Sequence, residues 1–521
     1  MLSSERGERM ETVGLRERLR EFLKHRQHPV KILGYTSKTL WLLLIPIAKN
    51  LVASNFDIQG WLRTYWLDLF TVLAVVAFAV FRWLFVYYEI GEKSITAHTG
   101  PFGLSCTTVC FSEISAMRVE QGVVYRSVQA STMYLETQAR SLRRSEIKLV
   151  ISEKNVEEIF ALISSRSEGQ PMFTVQPKNR LVLIYSVMFS SFFSGLAIFG
   201  TLIWQISRTF GKKPNDLADQ FNSGLQKVDQ QTLNLSRTVP RMIFIVVAAV
   251  VLGWMISFVN NLLDHWNFEA ARRGNSQLLV RSGKYKRNRS VLNREQINYY
   301  EIRQSLFMKL ARISSVRIQC SGFGRKKRDT AVLIPMTRNS ETAASLRLLE
   351  PDLGRQCEQL RPSKKSFWGF VGVPFGLCFL PFIGGSAVKL FTENTDSEIN
   401  YFIVLLTLPL IWYTVVQGFA HRHTAFGMTD DTCTLCCCPL FRFKKIIIPM
   451  KNVTMVQVRQ SPIERAFGSC TVAVWPDCEV RKPHKVPRLS YKEVCGLLSK
   501  YVNVSFAEEN QTRGGFEIEQ V

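Results

Sequence analysis

One stretch of this chain occurs three times, and that repetition limits the possible folds more than any other feature of the sequence. Ile297–Gln304 (INYYEIRQ) aligns without a gap on Ile114–Gln121 (ISAMRVEQ) and on Val453–Gln460 (VTMVQVRQ). Each copy ends in a glutamine (Gln121, Gln304, Gln460), and five residues on each has a cation (Arg126, Lys309, Arg465). Still in register come Thr132–Leu135 (TMYL), Ser315–Ile318 (SVRI) and Thr471–Val474 (TVAV). Self-similarity of this kind marks one structural unit used several times. The chain is three versions of one module.

The module reads as β-rich. Met117/Val119, Tyr300/Ile302 and Val456/Val458 alternate with polar residues, as a half-buried strand requires, and Met133/Leu135, Val316/Ile318 and Val472/Val474 repeat the pattern. A third strand precedes each anchor, at Thr107–Phe111, Arg289–Leu292 and Lys445–Pro449, with shorter runs upstream at Ile90–Ala97, Gln277–Arg281 and Cys433–Leu435. Each copy then closes on helical spacing: Val156, Ile159, Phe160 and Ile163 share a face, as do Leu346 and Leu349. In the last copy Ser490 and Glu493 form a capping-box pattern before Val494, Leu497, Leu498 and Tyr501. Several antiparallel strands closed by one amphipathic helix describe a small β-barrel plugged by a helix.

Charge and hydropathy separate these modules from the rest. The net charge is +24, yet 46% of residues are hydrophobic, which pairs basic domains with apolar spans. Crossing about 30 Å of hydrocarbon takes about 20 apolar residues. Six candidate spans meet or approach this: Thr39–Ser54, Leu67–Tyr88, Leu181–Trp204, Met242–Leu263, Phe367–Val388 and Tyr401–Ala420. The first is the weakest, being short and interrupted by Lys49 and Asn50. The spans form three hairpins, each followed by one module. Lys and Arg crowd the segment before the first span, whereas the links 55–66 and 391–400 hold only Arg63 between them. By the positive-inside rule both termini and all three modules are cytoplasmic. The middle link, 205–241, is ambiguous, since Lys212, Lys213 and Lys227 are offset by Asp216, Asp219 and Asp229.

The expected organisation is an amphipathic segment (1–30), hairpins at 36–88, 181–263 and 367–420, modules at 89–168, 264–352 and 421–503, and a disordered polar tail (504–521). The first thirty residues carry charge throughout and offer no apolar core for a secretory leader. Twelve unevenly spread cysteines fit reduced thiols better than a disulfide scaffold. Phosphate-loop, zinc-protease, nucleophile-elbow and EF-hand patterns are absent from the sequence, so no enzyme and no cofactor are expected. The charged residues inside spans, Lys49, Asp68 and Arg82, lie near span ends and suggest no ion path.

With these features in hand, the chain resembles the bacterial membrane proteins with pleckstrin-homology-like domains, the YdbS/YdbT group. The resemblance rests on His28-Pro29 before the first hairpin, on three hairpin-plus-β units, and on the strand ending in Gln121, Gln304 or Gln460 with its downstream cation. It covers roughly residues 25–503 and is closest to YdbT-like members, which repeat the unit. It implies a multi-pass α+β protein: six transmembrane helices, with each hairpin followed by a cytoplasmic pleckstrin-homology-like barrel. In that fold a seven-stranded, strongly bent sheet is capped by a C-terminal helix. It also implies links to the cell envelope and to antimicrobial peptide tolerance, no catalytic residues, and a smaller single-domain relative or self-association as partner. The Cys-rich hairpin of the third copy and the long middle link depart from the family pattern.

Candidate binding residues lie where the copies differ. The second copy opens with Arg272, Arg273, Arg281, Lys284, Lys286, Arg287, Arg289 and Arg294 directly after a span, where anionic headgroups attract basic residues. The alternative is a solvated cytoplasmic face. A second cluster, Arg325, Lys326, Lys327 and Arg328, follows Gly322-Phe323-Gly324 at an apparent hairpin tip. Nucleic acid is not expected, because the aromatic residues lie mostly in the spans rather than among the basic ones. Cys433 and Cys436 have zinc-like spacing, but a second such pair is missing, and ordinary thiols are the simpler reading. The repeated glutamines suit a structural role, bonding backbone groups of the turn that follows. The functional expectation is a membrane-embedded scaffold contacting proteins or anionic lipids. The alternative is a transport or export component whose β-domains gate a six-helix bundle.

Overall fold

The structure is a computed structural model that describes residues 26–36, 66–99, 104–137, 147–164, 172–189, 241–320, 331–389, 396–478 and 482–501, apart from Asn275, Asp352 and Arg355. Alternating stretches become strands, since period-two patterning buries one face of a pleated chain. In the first copy, helix α1 (Trp66–Leu84) leads into β1 (Tyr87–Ile90), β2 (Ser94–Thr99), β3 (Ser105–Cys110) and β4 (Ile114–Gln121). A short helix α2 (Val123–Ser127), then β5 (Ala130–Thr137) and β6 (Ile147–Ser152), precede the closing helix α3 (Glu153–Ser164).

The second copy runs through β7 (Met172–Val175), α4 (Asn179–Phe189), α5 (Arg241–His265), β8 (Glu269–Arg273), β9 (Gln277–Ser282) and β10 (Arg287–Asn293). It continues with β11 (Ile297–Gln304), α6 (Leu306–Leu310), β12 (Ile313–Cys320), β13 (Ala331–Arg338) and α7 (Asn339–Leu349). The third has α8 (Phe367–Leu377), α9 (Leu380–Lys389), α10 (Asp396–His423), β14 (Ala425–Met428), β15 (Thr432–Cys437) and β16 (Phe443–Pro449). It ends with β17 (Val453–Arg459), α11 (Pro462–Ala466), β18 (Ser469–Pro476), β19 (His484–Ser490) and α12 (Tyr491–Tyr501).

The three modules are not separate barrels. Strand order continues from β6-β5-β4 through β10 into β9-β8-β7, and from β13-β12-β11 through β16 into β15-β14. The second half of each of the first two copies thus shares a sheet with the first half of the next. The first joint runs from Arg287↔Gln121 to Leu292↔Ala116, and the second from Phe443↔Gln304 to Ile447↔Tyr300. The cores follow the sheets. Ala271, Leu279 and Val291 of the second copy pack into the first core, Ile447 of the third into the second, and Tyr299 of the second into the third. The expectation of a separate barrel after each hairpin is corrected to a β-spine of four sheets, two of which each span two successive copies. Its physical cause is the edge strand: a three-stranded half leaves a row of backbone groups unpaired, and the next copy satisfies them.

In each copy the chain meets its own sheet before its apolar stretch as well as after it. Arg26 bridges Tyr87, Val175 pairs with Ala270, and Leu360 bridges Phe426. Antiparallel partners lie about 5 Å apart, so a chain leaving the sheet at Val175 must return to the same side by Ala270. The expected boundaries, with each module starting after its hairpin, are corrected accordingly. In the second copy β7 supplies the seventh strand. It escaped the sequence reading because it is short and stands apart from the repeat.

Fewer spans are seen than expected. Among the described residues two helices are long and apolar enough to cross a membrane, Lys364–Lys389 and Ile399–His423, with shorter apolar helices at Leu69–Leu84 and Asn179–Met188. Six such helices are not seen. The expected span Thr39–Ser54 and most of Leu181–Trp204 lie outside the described residues, as do residues 1–25 and the tail 504–521. Helix α1 stops at Leu84 rather than Tyr88, because Tyr88 enters β1 and the first core. The expected Phe367–Val388 span lies within Lys364–Lys389 and has a turn between α8 and α9, where Pro381 has no N–H to continue the ladder. Val416 and Ala420 pack with Leu306, Phe370 and Phe443, so the exposed apolar surface of α10 does not extend evenly to Ala420.

Gly427 tests the pinning of the third hairpin. A Cβ there would lie 2.2 Å from the Cys357 carbonyl oxygen, so the strand carrying Leu360 can reach β14 only against a glycine. Gly427→Ala is expected to lower stability by about 1–3 kcal/mol through overpacking, read as a drop in unfolding midpoint. The same change at Gly418, whose Cβ position meets nothing within 4 Å, lacks this clash and serves as the control.

Candidate functional site

The repeated residues serve the fold. Gln121, Gln304 and Gln460 each donate from Nε2 to the carbonyl nine residues on, Ala130 (3.4 Å), Ile313 (2.8 Å) and Ser469 (2.9 Å). Each bond closes the loop over α2, α6 or α11. Eight residues after each glutamine sits a residue with positive φ: Gln129 (51°), Arg312 (55°) and Gly468 (61°). Its N–H reaches the carbonyl of the repeated cation (Arg126, Lys309, Arg465), and its own carbonyl accepts from Glu153, Asn339 or Tyr491 at the start of the closing helix. Only the third copy has glycine there, so the shared geometry was hidden in the sequence. The Lys309 ammonium also lies 4.4 Å from the Phe443 ring centre of the next copy. Burial depresses its pKa, against the opposing pull of the acidic groups nearby.

Charge is built into both joints. At the first, Glu120 on β4 faces Arg118 of its own strand (3.5 Å) and Lys286 of the next copy (3.3 Å), and Arg289 on β10 pairs with Glu157 of α3. At the second, the Glu301 carboxylate takes Arg303 Nε at 2.8 Å and Lys444 Nζ of the third copy at 3.0 Å. Glu301 is 1% exposed. Burial alone would raise its pKa, but the two cations overcome that and hold the carboxyl at about 2. Two residues read as lipid contacts from sequence, Lys286 and Arg289, therefore serve the first joint. Arg272 lies over the Phe173 ring at 4.6 Å, Arg273 pairs in β8 with Met172 of β7, and Arg294 forms a buried pair with Glu350 at 3.0 Å.

The remaining cations of this cluster gather at one turn. Arg281, Lys284 and Arg287 are exposed around the β9–β10 hairpin, with Tyr285 beside them. Gly283 (φ +92°) makes this turn, since a Cβ there would strike the Lys286 carbonyl. The Gly283 N–H donates to the Trp266 carbonyl at 2.8 Å, directly after the end of α5. The turn is thus fixed beside the point where an apolar helix leaves the sheet. The corresponding turn of the third copy is apolar and equally placed: Leu440 accepts from Gln417 on α10, and Phe441 meets Tyr413 at 5.3 Å. Trp412 stacks on Phe307 of α6 at 4.9 Å. Arg325, Lys326, Lys327 and Arg328 lie outside the described residues.

The cysteines do not converge. Cys433 and Cys437 face the third core with Leu435, and Cys436 is on the other face of β15, near Glu358. Strand geometry puts residues three apart on opposite sides, so the Cys433/Cys436 spacing does not make a common ligand set. Among the described residues no group of three metal-ligating side chains is found. Burial pushes both thiols up to about 12. The short helices hold a feature that sequence reading missed. Three residues after each repeated glutamine an apolar side chain stands exposed: Val124, Phe307 and Ile463. The ungapped alignment contains this signal.

Comparison with known proteins agrees with the repeat. A family model described as the bacterial PH domain matches residues 41–167, 232–350 and 375–493. No curated protein and no solved structure matches the chain.

Glu301→Gln leaves Lys444 and Arg303 without their shared counter-charge at the second joint. It is expected to cost about 3 kcal/mol, as loss of one partner from a buried pair does, read from the denaturation midpoint of the full chain. The folded carboxyl at about 2 lies below its ordinary 4.5. Its contribution is therefore complete above the ordinary value and lost as pH falls through the folded one. The margin between wild type and Glu301→Gln should shrink as pH falls from about 4.5 toward 2.

Proposed function

Because the chain belongs to the bacterial PH domain family, with three units in series over most of its length, we propose that it is a non-enzymatic scaffold embedded in the cell membrane. Its β-spine lies along the cytoplasmic leaflet, held there by three helical hairpins of two crossings each. Anionic lipid headgroups are the direct ligand of the second unit. Protein partners are a smaller single-unit relative or further copies of the chain.

The observation that carries the lipid reading is the β9–β10 turn. Three exposed cations, Arg281, Lys284 and Arg287, surround a turn hydrogen-bonded to the end of α5. Cations at this depth meet the concentrated negative charge of the inner leaflet, worth about 1 kcal/mol each. The strand pins support paired crossings, since each hairpin must return to the side it left. The cytoplasmic orientation is supported by the excess of Lys and Arg before the first span. The groove between α9 and α10, lined by Leu380, Pro381, Gly384, Val388, Phe402 and Leu406 among others, is apolar. It suits acyl chains better than an ion path.

The test uses the full chain in mixed micelles, titrated with phosphatidylglycerol or phosphatidylcholine while the thermal midpoint is followed. Phosphatidylglycerol should stabilise the chain, and salt should weaken the effect. Changing Arg281, Lys284 and Arg287 together to Ser should weaken the anionic response by about 3 kcal/mol, roughly 100-fold. An equal response to both lipids, or no change in the triple variant, would refute the lipid reading.

A further inference from the structure

The two internal joints are alike, and the two halves of a third are left over. At each joint the fourth strand of one copy (β4, β11) pairs with the third strand of the next copy (β10, β16). The leftover members of this series are β17, the fourth strand of the last copy, and β3, the third strand of the first. Each is the end strand of a three-stranded sheet. Ser105, Cys106, Thr108 and Cys110 along β3 are exposed.

A second surface beside β17 is also left over. At the second joint α6 packs against the next copy's membrane hairpin, with Leu306 clustered with Phe370, Val416 and Ala420, and Phe307 stacked on Trp412. The equivalent helix after β17 is α11, whose entry is fixed by a capping box between Ser461 and Glu464. Its Ile463 is 72% exposed, and the adjoining Phe467 is 79% exposed. The place where a following hairpin would stand is present, and no described residue of the chain covers it.

Charge identifies the occupant. Both internal joints bring a lysine of the incoming unit onto an acid of the receiving strand, Lys286 onto Glu120 and Lys444 onto Glu301. On β17 the residue in the Glu301 position is Gln457, which accepts from Arg459 Nε at 2.7 Å, as Glu301 accepts from Arg303. An incoming lysine would meet Arg459 with no acid to share. In β3 the residue in the Lys444 position is Ser105. Acid and cation are therefore missing together, one from each of the two leftover strands.

We propose that β17 of one molecule pairs antiparallel with β3 of a second copy, with the second copy's α1 seated on Ile463 and Phe467, so that the β-spine continues from molecule to molecule. Carrying over the internal register places Ser105 opposite Arg459, Cys106 opposite Val458 and Thr107 opposite Gln457. The contact is head-to-tail and heterologous, so it builds a row or a closed ring. Repeating the internal joint keeps every hairpin in one membrane. The inference extends the scaffold reading but stands on strand geometry, so loss of lipid binding would leave it intact.

The test is performed on the full chain in native membranes. Antiparallel partners lie about 4.5–5.5 Å apart at Cα, within reach of a disulfide. Val458→Cys should therefore cross-link to the native Cys106 of a second copy under mild oxidation, giving a dimer. Mass spectrometry should find the linked peptide that joins Cys106 to the introduced thiol. Adding Cys106→Ser should remove it. In a second arm, two differently tagged copies are co-expressed. Ser105→Lys should lower co-purification at least tenfold by setting a lysine against Arg459, and adding Gln457→Glu should restore it by rebuilding the Glu301 arrangement. A chain recovered only as monomer, a cross-link from the introduced thiol only to another protein, or indifference to Ser105→Lys would each overturn the proposal.

Discussion

Strand pairing between successive copies is the constraint on which this structure depends. Half of a PH-like unit is a three-stranded sheet, and such a sheet ends in backbone donors and acceptors that need partners. In this chain they find them in the next copy, through β4 with β10 and β11 with β16. The cores then cannot be assigned copy by copy, since Val291 belongs to the first and Ile447 to the second. Glu301 shows how firmly the second joint is fixed. A carboxylate so buried is tolerable only because Arg303 and Lys444 approach it from the two strands that must meet.

Much of the module was legible in the sequence. The alternation around Met117, Tyr300 and Val456 did mark strands, and the faces of Val156/Ile159 and Leu346/Leu349 did mark closing helices. The structural reading of Gln121, Gln304 and Gln460 agrees with their bonds across the loop. The joints were not legible, because alternation along β4 or β11 says which face is buried and nothing about which strand lies alongside. The seventh strand was hidden for a related reason: β7 pairs with β8 across more than ninety residues of intervening chain.

The basic cluster illustrates how position alters the meaning of a charge. From sequence, Lys286, Arg289 and Arg294 are equal members of one patch with Arg281, Lys284 and Arg287. In three dimensions Lys286 and Arg289 join the first copy to the second, and Arg294 is locked to Glu350 inside the second core region. What is left for a ligand is a smaller set on a single glycine turn beside the exit of α5. The same turn in the third copy exposes the apolar side chains of Leu440 and Phe441 instead. The same position in two copies thus carries different chemistry, cationic in the second and apolar in the third.

The most direct measurement of the continuous spine is hydrogen exchange on the full chain in lipid nanodiscs. If the joints exist, the amides of β4 and β10 that face each other, and those of β11 and β16, will be protected as strongly as the amides shared by β5 with β6 and β12 with β13. Exchange of those joint amides at the rate of open edges, with the inner strands still protected, would mean that the three units fold separately and that the central claim is wrong.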